Sequence, residues 1–260
     1  MRVFKMKLAY DGAAYCGWQV QAAHCTVQGV VESALAKVTG QTVRVLASGR
    51  TDAGVHALGQ VVGFSLESHL SCAVLRKAIQ SHLPPDVAIL ELGSAPQGFH
   101  PIRDAKRKRY RYILNDAEIH DVFSRRYCWQ YPGPLCTSAM LRAGKDLIGT
   151  HDFASFQSAG SPRESTVRTV SDLCVQRPRG GDRGEIWIEV EADGFLYNMV
   201  RAIVGTLTEV GRGAEREDWC ERVLHAQDRS QGGPTAPPQG LFLVSVDYGT
   251  VFNAVADAKA

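Results

Sequence analysis

Ten consecutive residues, Ala47-Ser48-Gly49-Arg50-Thr51-Asp52-Ala53-Gly54-Val55-His56, bring two glycines, a guanidinium, a carboxylate and an imidazole together between two apolar runs. Glycine lets backbone approach a ligand closely. Arg50 offers a planar fork for phosphate or base edges, and the Asp52 carboxylate can serve as a nucleophile or a base. The same residues also suit an ordinary turn in which Asp52 accepts backbone N–H groups. His56 beside a glycine turn is given no role.

A second segment, Lys106-Arg107-Lys108-Arg109-Tyr110-Arg111-Tyr112, runs from a cationic cluster into a strand pattern that sets Tyr110, Tyr112 and Leu114 on one face. Cations attract phosphates and an unstacked base can lie on a ring, so the segment suits RNA with splayed bases. It equally suits a solvated edge strand guarded by charge. Arg125-Arg126 and the Arg177–Arg183 loop either extend a positive surface or are plain solvated charge.

In the third segment, Ala192-Asp193-Gly194-Phe195-Leu196-Tyr197-Asn198-Met199-Val200-Arg201, a strand gives way to a helix with Arg201 near its start. Cations are favoured at helix C-termini, so an early arginine points to a carboxylate or phosphate partner. A snorkelling surface arginine is the alternative. No phosphate-binding Walker loop, dinucleotide glycine motif, His-Glu-x-x-His or zinc cysteine spacing occurs, and no metal is expected.

The elements that must position these groups follow from periodicity. Phe4, Met6, Leu8 and Tyr10 alternate with polar or small residues as a half-buried strand. Thr26 caps a helix whose stripe is Val27, Val30, Val31, Ala34, Leu35 and Val38, with Gly40 as its stop. Strands over 42–47 and 60–66, a helix from Ser71 to the Pro84-Pro85 break and a strand over 87–92 follow. That order predicts a ferredoxin-like split β-α-β unit, an antiparallel sheet with helices on one face.

The order recurs in the second half. Strands are expected over 110–114, 167–175, 186–190 and 241–248, with helices over 141–148 and 199–210. The fold class predicted is therefore α+β, with two such RRM-like domains, one over 1–104 and one over 105–249. Pro234–Pro238 reads as a loop without chemistry, and 250–260 as a flexible tail.

A chain of 260 residues is long enough to divide its core between two domains. The net charge of +2 leaves any nucleic-acid footprint local rather than global. Seven cysteines without a Cys-x-x-Cys pair fit reduced thiols and a cytoplasmic setting. Charge in the first seven residues argues against a secretory leader, and no apolar run is long enough for a membrane helix.

Five stretches carry a resemblance. They are Tyr10-Asp11-Gly12, Gly17-Trp18-Gln19, the Ser48–His56 segment, Gly149-Thr150-His151-Asp152-Phe153 and the Phe195–Arg201 segment. In this order, from Met6 to about Tyr248, the chain resembles the bacterial tRNA pseudouridine synthase A family. The resemblance implies a catalytic cleft between the two domains with Asp52 as the catalytic aspartate. Tyr110 would then pack against the target uracil, Arg201 pair with Asp52, and Arg50 help expel the nucleotide. It also implies a homodimer that converts uridines in the anticodon stem-loop of tRNA, without metal or cofactor. At Phe99-His100-Pro101-Ile102-Arg103 the arginine stands one place later than is usual in the family. The alternative from another class is a non-catalytic RNA-binding module of RRM-like fold, whose Gly-aromatic strand signature is missing here. A metal-dependent nuclease is a third.

Overall fold

The computed structural model describes residues 1–160 and 164–249; the expected tail over 250–260 lies outside them. The fold is α+β, with five α-helices among the described residues and both parallel and antiparallel strand pairs. Two compact units divide the described residues: Met1–Lys106 with 242–249, and Arg107–Leu241.

In the first unit, β1 (Arg2–Tyr10) is central, antiparallel to β3 (His56–Leu66) on one side and β4 (Val87–Ala95) on the other. The short β2 (Leu46–Ala47) is antiparallel to the far end of β3, giving the order β4-β1-β3-β2. Phe4, Met6, Leu8 and Tyr10 are buried, as their alternation predicts. Each such burial contributes about 1.5–3 kcal/mol.

Helix α1 (Val27–Thr39) begins where the Thr26 hydroxyl accepts from the Gly29 N–H and ends at Gly40, whose φ of 69° only glycine adopts freely. It packs against α2 (Cys72–Gln80), which is capped by Ser71 and rests on β4. Strand β10 (Leu241–Asp247) runs parallel to the start of β3, Phe242 opposite His56. The expected all-antiparallel sheet is therefore corrected to a mixed one. A strand that arrives after a long excursion is free of the hairpin constraint and can enter in either direction.

In the second unit, β5 (Arg107–Asn115), β9 (Glu185–Ala192), β8 (Val167–Gln176) and β7 (Gly149–Asp152) pair antiparallel in that order, and β6 (Trp129–Gln130) lies parallel to β5. Tyr112, Leu114, Ile186, Ile188 and Val190 fill one face. Helix α4 (Met199–Gly211) brings Met199, Ile203, Val204 and Leu207 to the core and packs on β5. Helices α3 (Thr137–Lys145) and α5 (Trp219–Ala226) pack against α4 and each other. No helix among the described residues is long and apolar enough to cross a membrane.

Candidate active site

The Ser48–His56 segment connects β2 to β3, and buried groups hold its backbone on several sides. The Thr51 carbonyl accepts from the Trp18 N–H at 2.9 Å, and the Asp52 carbonyl from the Val55 N–H at 3.1 Å. Gly17, at φ 85°, lies so close beneath that a Cβ there would stand 2.7 Å from the Thr51 oxygen. The Thr51 hydroxyl meets the Tyr10 hydroxyl at 2.8 Å, and Gln60, fully buried, reaches the Gly49 carbonyl at 2.8 Å. Burial pushes the Tyr10 phenol up to about 12, against the opposing pull of its bonds to Thr51 and Gln60.

On this clamped loop Asp52 is half-buried and Arg50 is exposed. No hydrogen bond or ion pair engages the Arg50 guanidinium among the described residues. His56 closes the segment: its Nδ1 accepts from the Gly12 N–H at 3.0 Å, and its ring stacks on Phe242 at 4.7 Å. Asp11 Oδ1 stands 3.0 Å from the same nitrogen and accepts from it only when Nδ1 carries the proton, in which case Nδ1 no longer accepts from Gly12.

In the second unit, Tyr110 is buried and meets Phe195 edge-on, ring centres 5.0 Å apart. Two residues along the same face, Tyr112 donates to the Pro237 carbonyl at 2.7 Å; burial pushes its phenol well up, with the charge of nearby Arg201 pulling it down. Arg201, half-buried in the first turn of α4, donates to the Ala236 carbonyl at 2.6 Å and to Asn198 Oδ1 at 2.8 Å. Its own carbonyl accepts from the Ala236 N–H at 3.1 Å. The proline loop, read from the sequence as inert, therefore orients this arginine.

The basic strand carries its charge differently from the sequence expectation. Pairing alternates, so the tyrosines face the core while Arg107, Arg109 and Arg111 face outward. There they meet carboxylates: Arg107 and Arg109 pair with Glu191, Arg109 also with Asp172, and Arg111 with Glu189 at 2.7 Å. Arg111 further lies over the Trp187 ring at 3.7 Å. The arginines and the tyrosines of this strand thus occupy opposite faces. Arg103 bonds locally, to the Gly98 carbonyl at 2.7 Å and Asp104 at 3.0 Å.

Sequence reasoning passed over Gln60 and Ala236. A glutamine directly before the apolar run Val61-Val62 was a usable signal, because a buried amide must be satisfied. Ala236 offered none, since it acts through its backbone.

The sequence model of the family described as tRNA pseudouridine synthase matches residues 7–102 and 143–249. The tRNA pseudouridine synthase A of Thermoanaerobacter sp. (strain X514) is 44% identical over 248 residues, covering 95% of this chain and 100% of that one. That of Moorella thermoacetica is 46% identical over 250 residues with the same coverage, and that of Pseudothermotoga lettingae 41% over 248. With identity sustained along nearly the whole of both chains, this chain belongs to the tRNA pseudouridine synthase A family and is an isomerase that converts uridine to pseudouridine in tRNA.

Proposed function

We propose that Asp52 carries this isomerisation, with Arg50, Tyr110 and Arg201 serving the substrate nucleotide, on uridines of the anticodon stem-loop. The observation that carries the reading is a loop held by buried hydrogen bonds that presents a half-buried carboxylate and, two residues away, an exposed guanidinium with no partner among the described residues. The alternation of paired and unpaired arginines supports it: those of β5 are neutralised, whereas Arg50 is left for an incoming anion.

In the reaction the uridine N1–C1′ bond breaks, the uracil turns, and a C5–C1′ bond forms. The proton on C5 leaves and N1 takes one up, so atoms balance without an oxidant or energy donor. Asp52 attacks C1′ or supports the positive charge that develops there, as carboxylates do in glycoside hydrolysis. A guanidinium beside it, the role proposed for Arg201, keeps the carboxylate ionised as RNA excludes water. Flipping the nucleotide costs a few kcal/mol, which phosphate contacts and packing on Tyr110 offset.

The enzyme is further proposed to act as a cytoplasmic homodimer without metal or cofactor, each half built on a split β-α-β domain. The β4-β1-β3-β2 strand order supports that reading for the first half. The test is tritium release from transcript labelled at uridine C5, without added metal. Release by the wild type and none by a folded Asp52→Asn variant is expected. No release by either, with tRNA still bound, would favour an RNA-binding module.

A further inference from the structure

Gln60 and Tyr10 form a one-way chain of hydrogen bonds beneath the loop. The Gln60 amide can be oriented in one sense only. Its Oε1 stands 3.1 Å from the Val61 N–H, which can only donate, and its Nε2 stands 2.8 Å from the Gly49 carbonyl, which can only accept. Ser48 Oγ donates to the same Oε1 at 2.8 Å. The second Nε2 proton points to the Tyr10 oxygen at 3.4 Å, so the Tyr10 O–H is turned to Thr51 Oγ1, 2.8 Å away. The donor sense thus runs from Gln60 through Tyr10 to Thr51. Tyr10, Ser48, Thr51 and Gln60 are all buried, so each lost bond leaves a group without water to replace it.

The chain grips both sides of the chemically active residues. Ser48 and Gly49 precede Arg50, and Thr51 separates Arg50 from Asp52. We infer that Thr51, Tyr10 and Gln60 are positioning residues for turnover, holding Asp52 and Arg50 at the geometry the nucleotide meets while touching no substrate themselves. The inference rests on the assignment of Asp52 proposed above. A carboxylate that must approach one carbon tolerates little displacement, and an error near 1 Å costs on the order of 100-fold in rate. Thr51 carries the most direct test, because valine keeps its shape and removes only the hydroxyl.

The experiment measures kcat and KM by tritium release for Thr51→Val, Thr51→Ser and Tyr10→Phe, with thermal melting of each and Asp52→Asn alongside. Thr51→Val is expected to lose about 30-fold or more in kcat with KM within about 2-fold, and Thr51→Ser to return within about 3-fold of wild type. A purely structural role would lower the melting temperature and leave kcat per folded molecule unchanged, with serine no better than valine; that result overturns the inference. If Thr51→Val does not fold, Tyr10→Phe, which removes one oxygen, decides by the same split. Turnover by Asp52→Asn would overturn the Asp52 assignment and this inference with it. A dead Asp52→Asn beside normal Thr51→Val and Tyr10→Phe would overturn this inference alone.

Discussion

Arg109 and Glu191 face each other across the β5–β9 register, Nη2 3.0 Å from Oε2, and the same guanidinium reaches Asp172 at 2.9 Å. The strand that reads as cationic is therefore balanced locally, and a phosphate would have to displace a carboxylate to bind there. Arg109→Gln is accordingly expected to change the slope of log affinity for tRNA against log salt by less than about 0.4, where a lost phosphate contact removes about 0.9. Filter binding across a salt series checks this; a loss near 0.9 would restore the strand as a phosphate contact.

Tyr110 is too buried for alanine to be a clean probe. Tyr110→Ala should abolish turnover and also destabilise the protein by about 3 kcal/mol, the cost of emptying an aromatic site. Tyr110→Phe keeps the edge contact with Phe195. It is expected to keep melting temperature and tRNA affinity near wild type, so any fall in its single-turnover rate reports the hydroxyl alone.

Arg201→Met removes the bonds to Ala236 and Asn198 along with the charge. Turnover should fall by roughly 100-fold or more while tRNA affinity changes by less than about 5-fold. Arg201→Lys should not rescue it, because an ammonium does not reproduce the planar fork. Near-normal turnover in Arg201→Met would end the proposed role.

A buried pair anchors the second unit. Arg177 donates to both oxygens of fully buried Asp116, which also accept from the Leu135 and Gly184 N–H groups at 2.9 and 2.7 Å. Burial alone would raise this carboxyl, but Arg177 and the two amides hold it below its ordinary value. A depressed folded pKa stabilises above the unfolded value, about 3.9, and that stability is lost as pH falls through the folded pKa. Asp116→Asn, which strands Arg177, should cost about 3 kcal/mol at neutral pH. Urea melts should show the gap between wild type and variant narrowing below about pH 4.

The parts legible in the sequence were those fixed by local chemistry. Thr26 and Gly40 bracket α1 with a hydroxyl cap and a positive φ, and β1 alternates cleanly. Helix α3 starts at Thr137 rather than near Leu141, because Cys136 gives no side-chain cap to mark it. Helix α5 lacks a capping bond as well, although Cys220, Val223 and Leu224 keep helical spacing. Strands β6 and β7 have two and four residues, too few for a period to show, and owe their form to their partners. At the site, Asp52 and Arg50 stood out by type. The neutralisation of Arg109 by Glu191, and the hold of Ala236 on Arg201, depend on residues distant in the chain and were not legible.

The position of β10 has a consequence for how the protein is made. The ribosome completes all of Arg107–Leu241 before it delivers Phe242, the residue that stacks on His56 at the end of the Ser48–His56 segment. The earlier unit therefore waits, its sheet one strand short, until all of the second unit has been made. A chain aborted before Phe242 lacks the support beneath that loop, so the arrangement ties completion of the first unit to synthesis of the second.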